Sequence, residues 1–303
     1  MWKDIDHAQS SNIFLFSAFG GFGLNCLGLL ALSNAINEST NQPNQPEAMG
    51  CAMNKNVAVI ILAAGLGTRM KSEKAKVLHK IQGRPMVLYV VEAARKVAGD
   101  NVVVVVGHQA ETVRRIVTET APLMFAYQEN QLGTGHAVLC ALPHIPDNCD
   151  PVVILCGDVP LIKSATIQRL VEDHLASERD ISVLAVELED PYGYGRILLD
   201  ENRRFCGIVE EADATGRQKQ VKLINSGIYC VGKDLLMSAL SDIGCDNAQG
   251  ELYLTDIIAV GYRKKRTMGV FIDADSRQVL GVNTLQDLET VDAIMENRRR
   301  IIP

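Results

Sequence analysis

The sequence predicts an α/β fold: a mixed, mostly parallel sheet with helices on both faces and an α+β elaboration towards its C-terminal part. Three observations carry that expectation. Short, wholly apolar runs recur at Val57–Leu62, Val102–Val106 and Val152–Cys156, as buried parallel strands require. Segments with helical spacing separate them, which is the βαβ pattern. A Gly-rich turn follows the first run, where an open α/β sheet places its ligands.

The elements follow in order. Val57–Leu62 is the first buried strand, and Met86–Val97 after it has apolar residues at helical spacing. Val102–Val106 is a second strand, ended by Gly107, and Glu111–Thr118 reads as a helix. Leu123–Ala126 is a third short strand, Thr134–Leu142 a helix, and Val152–Cys156 a fourth strand ending at Gly157-Asp158. After Ser177 the pattern changes. Ile181–Glu187, Gly195–Leu199, Arg204–Glu210 and Gly227–Val231 read as strands joined by turns, an elaboration rather than further βαβ units. Helices return at Lys233–Leu240 and Leu254–Tyr262, then a strand at Thr267–Phe271 and a last helix over Leu285–Arg300.

Composition narrows the function. The chain has 303 residues, 47% hydrophobic and 22% charged, with net charge −6. That excludes a disordered or collagen-like chain and gives no basic excess for a dedicated nucleic-acid binder. The cysteines, at 26, 51, 140, 149, 156, 206, 230 and 245, form no CxxC pair. Neither a zinc site nor a disulfide framework is expected, and a reducing, cytoplasmic setting is the simplest reading. Cys156 reads as a buried strand cysteine or a site thiol, and the histidines form no ligand cluster.

The charge is unevenly placed. Residues 1–54 carry Lys3 against Asp4, Asp6, Glu38 and Glu47, leaving 29 basic and 32 acidic residues in 55–303. Within that leader, Ile13–Ile36 is an apolar stretch interrupted by Gly20, Gly21, Gly23, Gly28, Asn25 and Asn34, followed by the polar linker Asn37–Glu47. Three readings stand for it: sequence upstream of a true start at Met49 or Met53, a membrane anchor, or an extra packed helix. Membrane contact is expected only if 13–36 is an anchor. The expected working body is 55–303.

The turn after the first strand reads Leu62-Ala63-Ala64-Gly65-Leu66-Gly67-Thr68-Arg69-Met70. Small residues let backbone N–H groups approach a triphosphate, and Arg69 adds a forked cation. Met70 stands where a dinucleotide fingerprint needs its third glycine, and no Gly-Lys-Ser/Thr ends the loop as a P-loop would. By spacing alone, such a turn is equally a structural strand-to-helix connection. Lys76 follows, just before Val77-Leu78. Held near such a loop it can neutralise a pyrophosphate leaving group; otherwise it is a solvated lysine.

LAAGLGTRM followed by KVL is similar to the nucleotide-binding signature of sugar-nucleotide pyrophosphorylases. Further along come QENQLGTGHAV at 128–138, GDVPLI at 157–162, DPYGYGRI at 190–197, GIVEEADAT at 207–215, NSGIY at 225–229, NAQGELYLTDII at 247–258 and GVNT at 281–284. In that order, over about 55–300, they resemble the uridyltransferase domain of the bifunctional N-acetylglucosamine-1-phosphate uridyltransferase/glucosamine-1-phosphate acetyltransferase family. The resemblance implies a Rossmann-like nucleotidyltransferase fold. It implies conversion of UTP and N-acetylglucosamine 1-phosphate to UDP-N-acetylglucosamine and pyrophosphate, with Mg²⁺. Leu62, Ala63, Ala64, Gly65, Gly67 and Thr68 would line the nucleotide, with Arg69 and Lys76 at its phosphates. Gln128, Gly133 and Thr134 match uracil-reading positions, Gly195, Glu210 and Asn225 sugar-binding positions, and Asp158 and Asn283 the metal-binding pair. Arg69, Lys76 and Asp158 would carry the chemistry.

The chemistry suits these residue types. A sugar phosphate oxygen is already ionised at neutral pH, so no general base is required. Mg²⁺ favours a few oxygen ligands plus substrate phosphates. Gln128 can offer both a donor and an acceptor to a base, and Thr134 can cap the helix it begins. Tyr192, Tyr194 and Tyr253 are candidates for the sugar pocket or for packing. The family continues into a β-helix of hexapeptide repeats that carries acetyl transfer and trimerisation. The sequence ends at Arg298-Arg299-Arg300-Ile301-Ile302-Pro303 with no such repeat. No acetyltransferase activity is therefore expected, the oligomeric state is left open, and the last helix is expected to lack a packing partner. Two rivals remain: a nucleotidyltransferase for another sugar phosphate or nucleotide, and a non-catalytic sugar-nucleotide-binding regulator.

Overall fold

The computed structural model describes residues 56–301; the apolar run 13–36 and the linker after it lie outside the described residues. β1 (Ala58–Ala63) leads through single 3-10 turns at Thr68–Met70 and Lys76–Leu78 to a small hairpin, β2 (Lys80–Ile81) and β3 (Arg84–Pro85), and then α1 (Val87–Ala98). β4 (Val102–Val106), α2 (Ala110–Thr118), β5 (Met124–Tyr127), α3 (Thr134–Ala141), β6 (Val152–Cys156), α4 (Ser164–Ala176) and β7 (Ile181–Glu187) follow. The chain continues through β8 (Gly195–Leu199), β9 (Phe205–Val209), β10 (Leu223–Val231), α5 (Lys233–Leu240), α6 (Asp256–Arg263), β11 (Met268–Ile272) and α7 (Leu285–Ile301).

Nine strands form one sheet in the order β11-β7-β10-β6-β1-β4-β5, with the β8–β9 hairpin attached to β10. β1 lies between β4 and β6, parallel to both. Its side chains alternate between two cores, as the pleat dictates. Val57, Val59 and Ile61 pack with α1, α2 and α4 on one face. Ala58 and Ile60 pack with α3, α5 and α6 on the other. Burial on both faces explains why these strands are unbroken apolar runs rather than alternating ones.

The structure corrects the expected division of the C-terminal part. β7 is no elaboration: it belongs to the main sheet, antiparallel to β10, and β11 runs parallel beside it. β6, α4 and β7 thus form another crossover, with β10 inserted between its strands. α4 is amphipathic, with Gln168, Arg169, Glu172 and Asp173 on the face away from its apolar stripe. That stripe, Ile167, Leu170 and Val171, is buried. β10 begins at Leu223 rather than Gly227, through an irregular register between Asn225 and Tyr229. Nor does α7 lack packing. Val291 is buried with Met70, Ile81, Met86 and Val282, and the Gln82 N–H donates to Asp292 Oδ1 at 2.7 Å. Among the described residues, no helix is long and apolar enough to cross a membrane.

Candidate active site

A cleft of about 400 Å³ opens beyond the carboxyl ends of β1 and β6. Leu62, Ala63, Ala64, Gly65, Gly67 and Thr68 line it, as expected from the turn, together with Lys76, Gln128, Gly133, Thr134 and Asp158. A larger groove of about 900 Å³ lies elsewhere, along β11 and the end of α6, and none of the expected site residues lines it. Among the described residues, the N–H groups of Gly65, Leu66, Gly67 and Thr68 meet no protein acceptor. Consecutive unpaired backbone donors at the end of a strand make an anion-binding concavity.

Two glycines are demanded by geometry. Gly67 has φ +65°, and a Cβ there would lie 2.6 Å from Lys76 Cβ, so only glycine lets Lys76 close on the loop. Gly133 has φ +107°, and its Cβ would lie 2.5 Å from the Leu252 carbonyl. The segment around Leu252 thereby closes against the N-terminus of α3, with the Gly135 N–H donating to Leu252 O at 2.8 Å. Thr134 differs from expectation. It is the first residue of α3 rather than its cap, and its hydroxyl accepts from the Leu254 N–H at 3.0 Å.

Charge collects at one end of the cleft. Lys76 Nζ forms an ion pair with Asp158 and donates to Asn283 Oδ1 at 3.1 Å. Arg69 is absent from the cleft lining and lies at the rim, where Nη2 donates to the same oxygen at 2.9 Å. Asn283 is held there by a capping box at the start of α7. The Asn283 and Thr284 N–H groups donate to Asp287 Oδ2 at 2.9 and 2.8 Å, and the Asp287 N–H returns to Thr284 Oγ1 at 3.2 Å. The Val282 N–H donates to Asp158 O at 2.9 Å, tying the two segments directly.

The expected sugar residues converge as well. Gly195 pairs with Asn225 across β8 and β10. A Cβ on Gly195 would stand 3.3 Å from Glu210 Oε2 and 3.6 Å from Asn225 Cβ. Asn225 is buried, with Nδ2 donating to the Tyr229 hydroxyl at 2.8 Å and Oδ1 accepting from the Gly227 N–H at 3.0 Å. Burial raises the Glu210 carboxyl above the usual range, partly offset by Thr255 beside it. The Tyr253 hydroxyl is buried without a hydrogen-bond partner among the described residues, and burial followed by the charges of Asp213 and Glu210 pushes it up to about 12. Cys156 bridges the two ends: it lines the cleft and its thiol donates to Gly227 O at 3.5 Å. Burial lifts that thiol to about 12, so it is no thiolate nucleophile. Gln131 and Glu251 also line the cleft and were not singled out from sequence; Glu251 stands inside the 247–258 motif, which was its only signal.

A family model described as the MobA-like NTP transferase domain matches residues 59–222. The chain belongs to the MobA-like NTP transferase family. The matched span of this NTP transferase holds the Gly-rich loop, Gln128, Asp158 and Glu210, while Asn225 and Asn283 lie beyond it. Among curated proteins, the chain is similar to the bifunctional protein GlmU of Syntrophotalea carbinolica, 46% identical over 245 residues, covering 81% of this chain and 52% of that protein. It is 42% identical over 243 residues to the bifunctional protein GlmU of Desulfotalea psychrophila, covering 80% of this chain and 71% of that one. Against the first of these the chain spans about half the relative's length. A solved Bacillus anthracis structure described as a glucose-1-phosphate thymidylyltransferase shares the fold. Its TM-score is 0.61 at 21% identity, covering 78% of this chain and 94% of that one.

Proposed function

We propose that this NTP transferase moves a uridylyl group from UTP to N-acetylglucosamine 1-phosphate, giving UDP-N-acetylglucosamine and pyrophosphate. One observation carries the reading: Lys76, Asp158, Asn283 and Arg69 gather beside a loop of free backbone N–H groups. The cleft they border holds Gln128 and Cys156, and the Cys156 thiol reaches the Gly227 carbonyl beside the Glu210–Asn225 corner. Cleft and corner supply the base and sugar contacts that the motif order implies.

In the proposed reaction, a phosphate oxygen of the sugar phosphate attacks the α-phosphorus of UTP. The bond from that phosphorus to the bridging oxygen breaks, and pyrophosphate leaves without proton transfer. The N–H groups of Gly65–Thr68 hold phosphate oxygens in place, and Arg69 and Lys76 offset the charge that grows on the leaving group. Asp158 and Asn283 are the residues that would hold Mg²⁺. Their oxygens already converge on one cation, Lys76 Nζ, and one carboxylate with one amide oxygen is a donor set that Mg²⁺ accepts. When bound, Mg²⁺ supplies further positive charge at the phosphates. Lys76, now paired with Asp158, would turn to a phosphate oxygen when the triphosphate is bound.

Pyrophosphate release tests the reading across four nucleoside triphosphates and several sugar 1-phosphates. The expected result is magnesium-dependent release with UTP and N-acetylglucosamine 1-phosphate. Equal kcat/KM with glucose 1-phosphate removes the N-acetyl specificity. No release with any pair leaves a sugar-nucleotide-binding regulator.

A further inference from the structure

Gln128 is 3% exposed, yet it lines the cleft. Its Nε2 donates to the Gly133 carbonyl at 2.9 Å. A carbonyl oxygen only accepts, so the amide nitrogen must stand at this end of the side chain. The same Nε2 lies 3.1 Å from His136 Nδ1. With the nitrogen fixed by Gly133, Nδ1 is the acceptor and the imidazole is neutral with its proton on Nε2. That Nε2 faces the Cys140 thiol, at 3.9 Å, one helical turn further along α3. Both amide hydrogens of Gln128 are therefore used inside the protein. The expectation that Gln128 shows a base both a donor and an acceptor is corrected: Oε1, without a protein partner among the described residues, is what it has left to offer.

We infer that His136 is a positioning residue that sets which pyrimidine the cleft accepts, by holding the Gln128 amide so that an acceptor faces the base. The inference rests on the uridylyl-transfer reading and deepens it. Uracil offers an N3–H to such an acceptor. Cytosine offers a bare N3 lone pair, which repels Oε1 and leaves both groups unpaired in a dry site. An amide turned the other way would show Nε2 to the base and favour cytosine. Gly133 opposes that turn through one hydrogen. His136 opposes it through the other, which would otherwise be buried without an acceptor. Selectivity here comes as much from rejecting the wrong base as from binding the right one.

The test measures kcat/KM for UTP, CTP and 5-methyl-UTP with the full chain and three variants. His136→Phe keeps a ring but no acceptor. It is expected to lower the UTP-to-CTP preference about tenfold and to leave the ratio of UTP to 5-methyl-UTP unchanged, since both bases carry N3–H. His136→Asn, whose Oδ1 can take the place of Nδ1, is expected to restore the preference. If His136→Phe does not fold, His136→Ala read by competition of UDP against CDP for binding reports the same ratio. A wild-type preference for UTP that survives the loss of the His136 acceptor overturns the inference alone. So does an equal loss for all three nucleotides. A wild-type enzyme without preference for UTP overturns the uridylyl reading and the inference with it.

Discussion

The Lys76–Asp158 corner and the Glu210–Asn225 corner, the proposed phosphate and sugar ends of the site, solve opposite problems. At the phosphate end, Lys76, Asp158, Asn283 and Arg69 satisfy one another, with Lys76 and Asp158 only 16% and 19% exposed at their side chains. At the sugar end, Asn225 is fixed by Tyr229 and Gly227, while Glu210 is desolvated beside the like charges of Asp256 and Asp213. The phosphate end is therefore stable when empty and must exchange partners when a polyanion arrives. The sugar end is preorganised and carries its desolvation cost whether or not a ligand is present. Substitutions should separate the ends: loss of rate at the first, and loss of selectivity with a gain in stability at the second.

The largest effect is expected at Asp158. Asp158→Asn should lower kcat by about 1000-fold, with Tm within about 3 °C of wild type because the side chain lies outside the two main cores. Near-normal magnesium-dependent turnover by a folded Asp158→Asn protein would remove Asp158 from the proposed chemistry. Lys76→Met comes next, with kcat/KM for UTP down about 100-fold. The same change should tighten Mn²⁺ binding to the nucleotide-free protein by about tenfold, because it removes the cation now resting on Asp158. Unchanged Mn²⁺ affinity, read by electron paramagnetic resonance, would show that Lys76 does not compete for that place.

The phosphate end was the more legible in the sequence, for a physical reason. Its loop is contiguous, so residues 62–70 stand together as one candidate, although their spacing alone reads equally as a structural turn and only Gly67 of the loop is demanded by geometry. Asn283 is another matter: it meets Lys76 across a separation of 207 residues, and only the order of motifs pointed to it. Two features were hidden by the way three-dimensional packing overrides local pattern. β7 joins the main sheet because β10 inserts beside β6, a choice that no run of residues encodes locally. The amide of Gln128 is aimed by Gly133 and by His136, a histidine that matches no ligand spacing and so drew no role.

At the sugar end, Glu210→Gln should cost about tenfold in kcat/KM for N-acetylglucosamine 1-phosphate and yet stabilise the protein. The sign follows from burial. Burial raises the folded carboxyl above its ordinary range, so the folded state binds this proton more tightly than the unfolded state does. The resulting stability is complete below the unfolded value and is lost as pH rises through the folded one. Above the unfolded carboxyl's titration range, buried Glu210 is therefore a net burden, and the glutamine removes it. The expected outcome is a Tm about 2 °C above wild type at pH 8, with the two proteins converging near pH 4. A variant less stable than wild type at pH 8 would mean that ionised Glu210 has a stabilising partner, and the contrast between the two ends would weaken.

The smallest effect is expected where the cleft is braced. Thr134 was matched to a base-reading position, but its hydroxyl accepts from the Leu254 N–H at 3.0 Å. Nearby, the Leu252 N–H donates to Leu132 O at 2.9 Å and the Gly135 N–H to Leu252 O at 2.8 Å. These bonds fasten the segment carrying Glu251, Tyr253 and Thr255 to the lip that carries Gly133, so Thr134 joins the nucleotide side to the sugar side. Thr134→Val keeps the shape and removes the acceptor. If Thr134 is a brace, the loss is about 1 kcal/mol, or about 3 °C in Tm, with KM for UTP changed by less than about threefold and Thr134→Ser close to wild type. If its hydroxyl also reads the base, KM for UTP rises by about tenfold in addition to that loss. The bond from the Leu254 N–H supports the first outcome; the hydroxyl keeps its O–H to donate, so KM for UTP decides between the two.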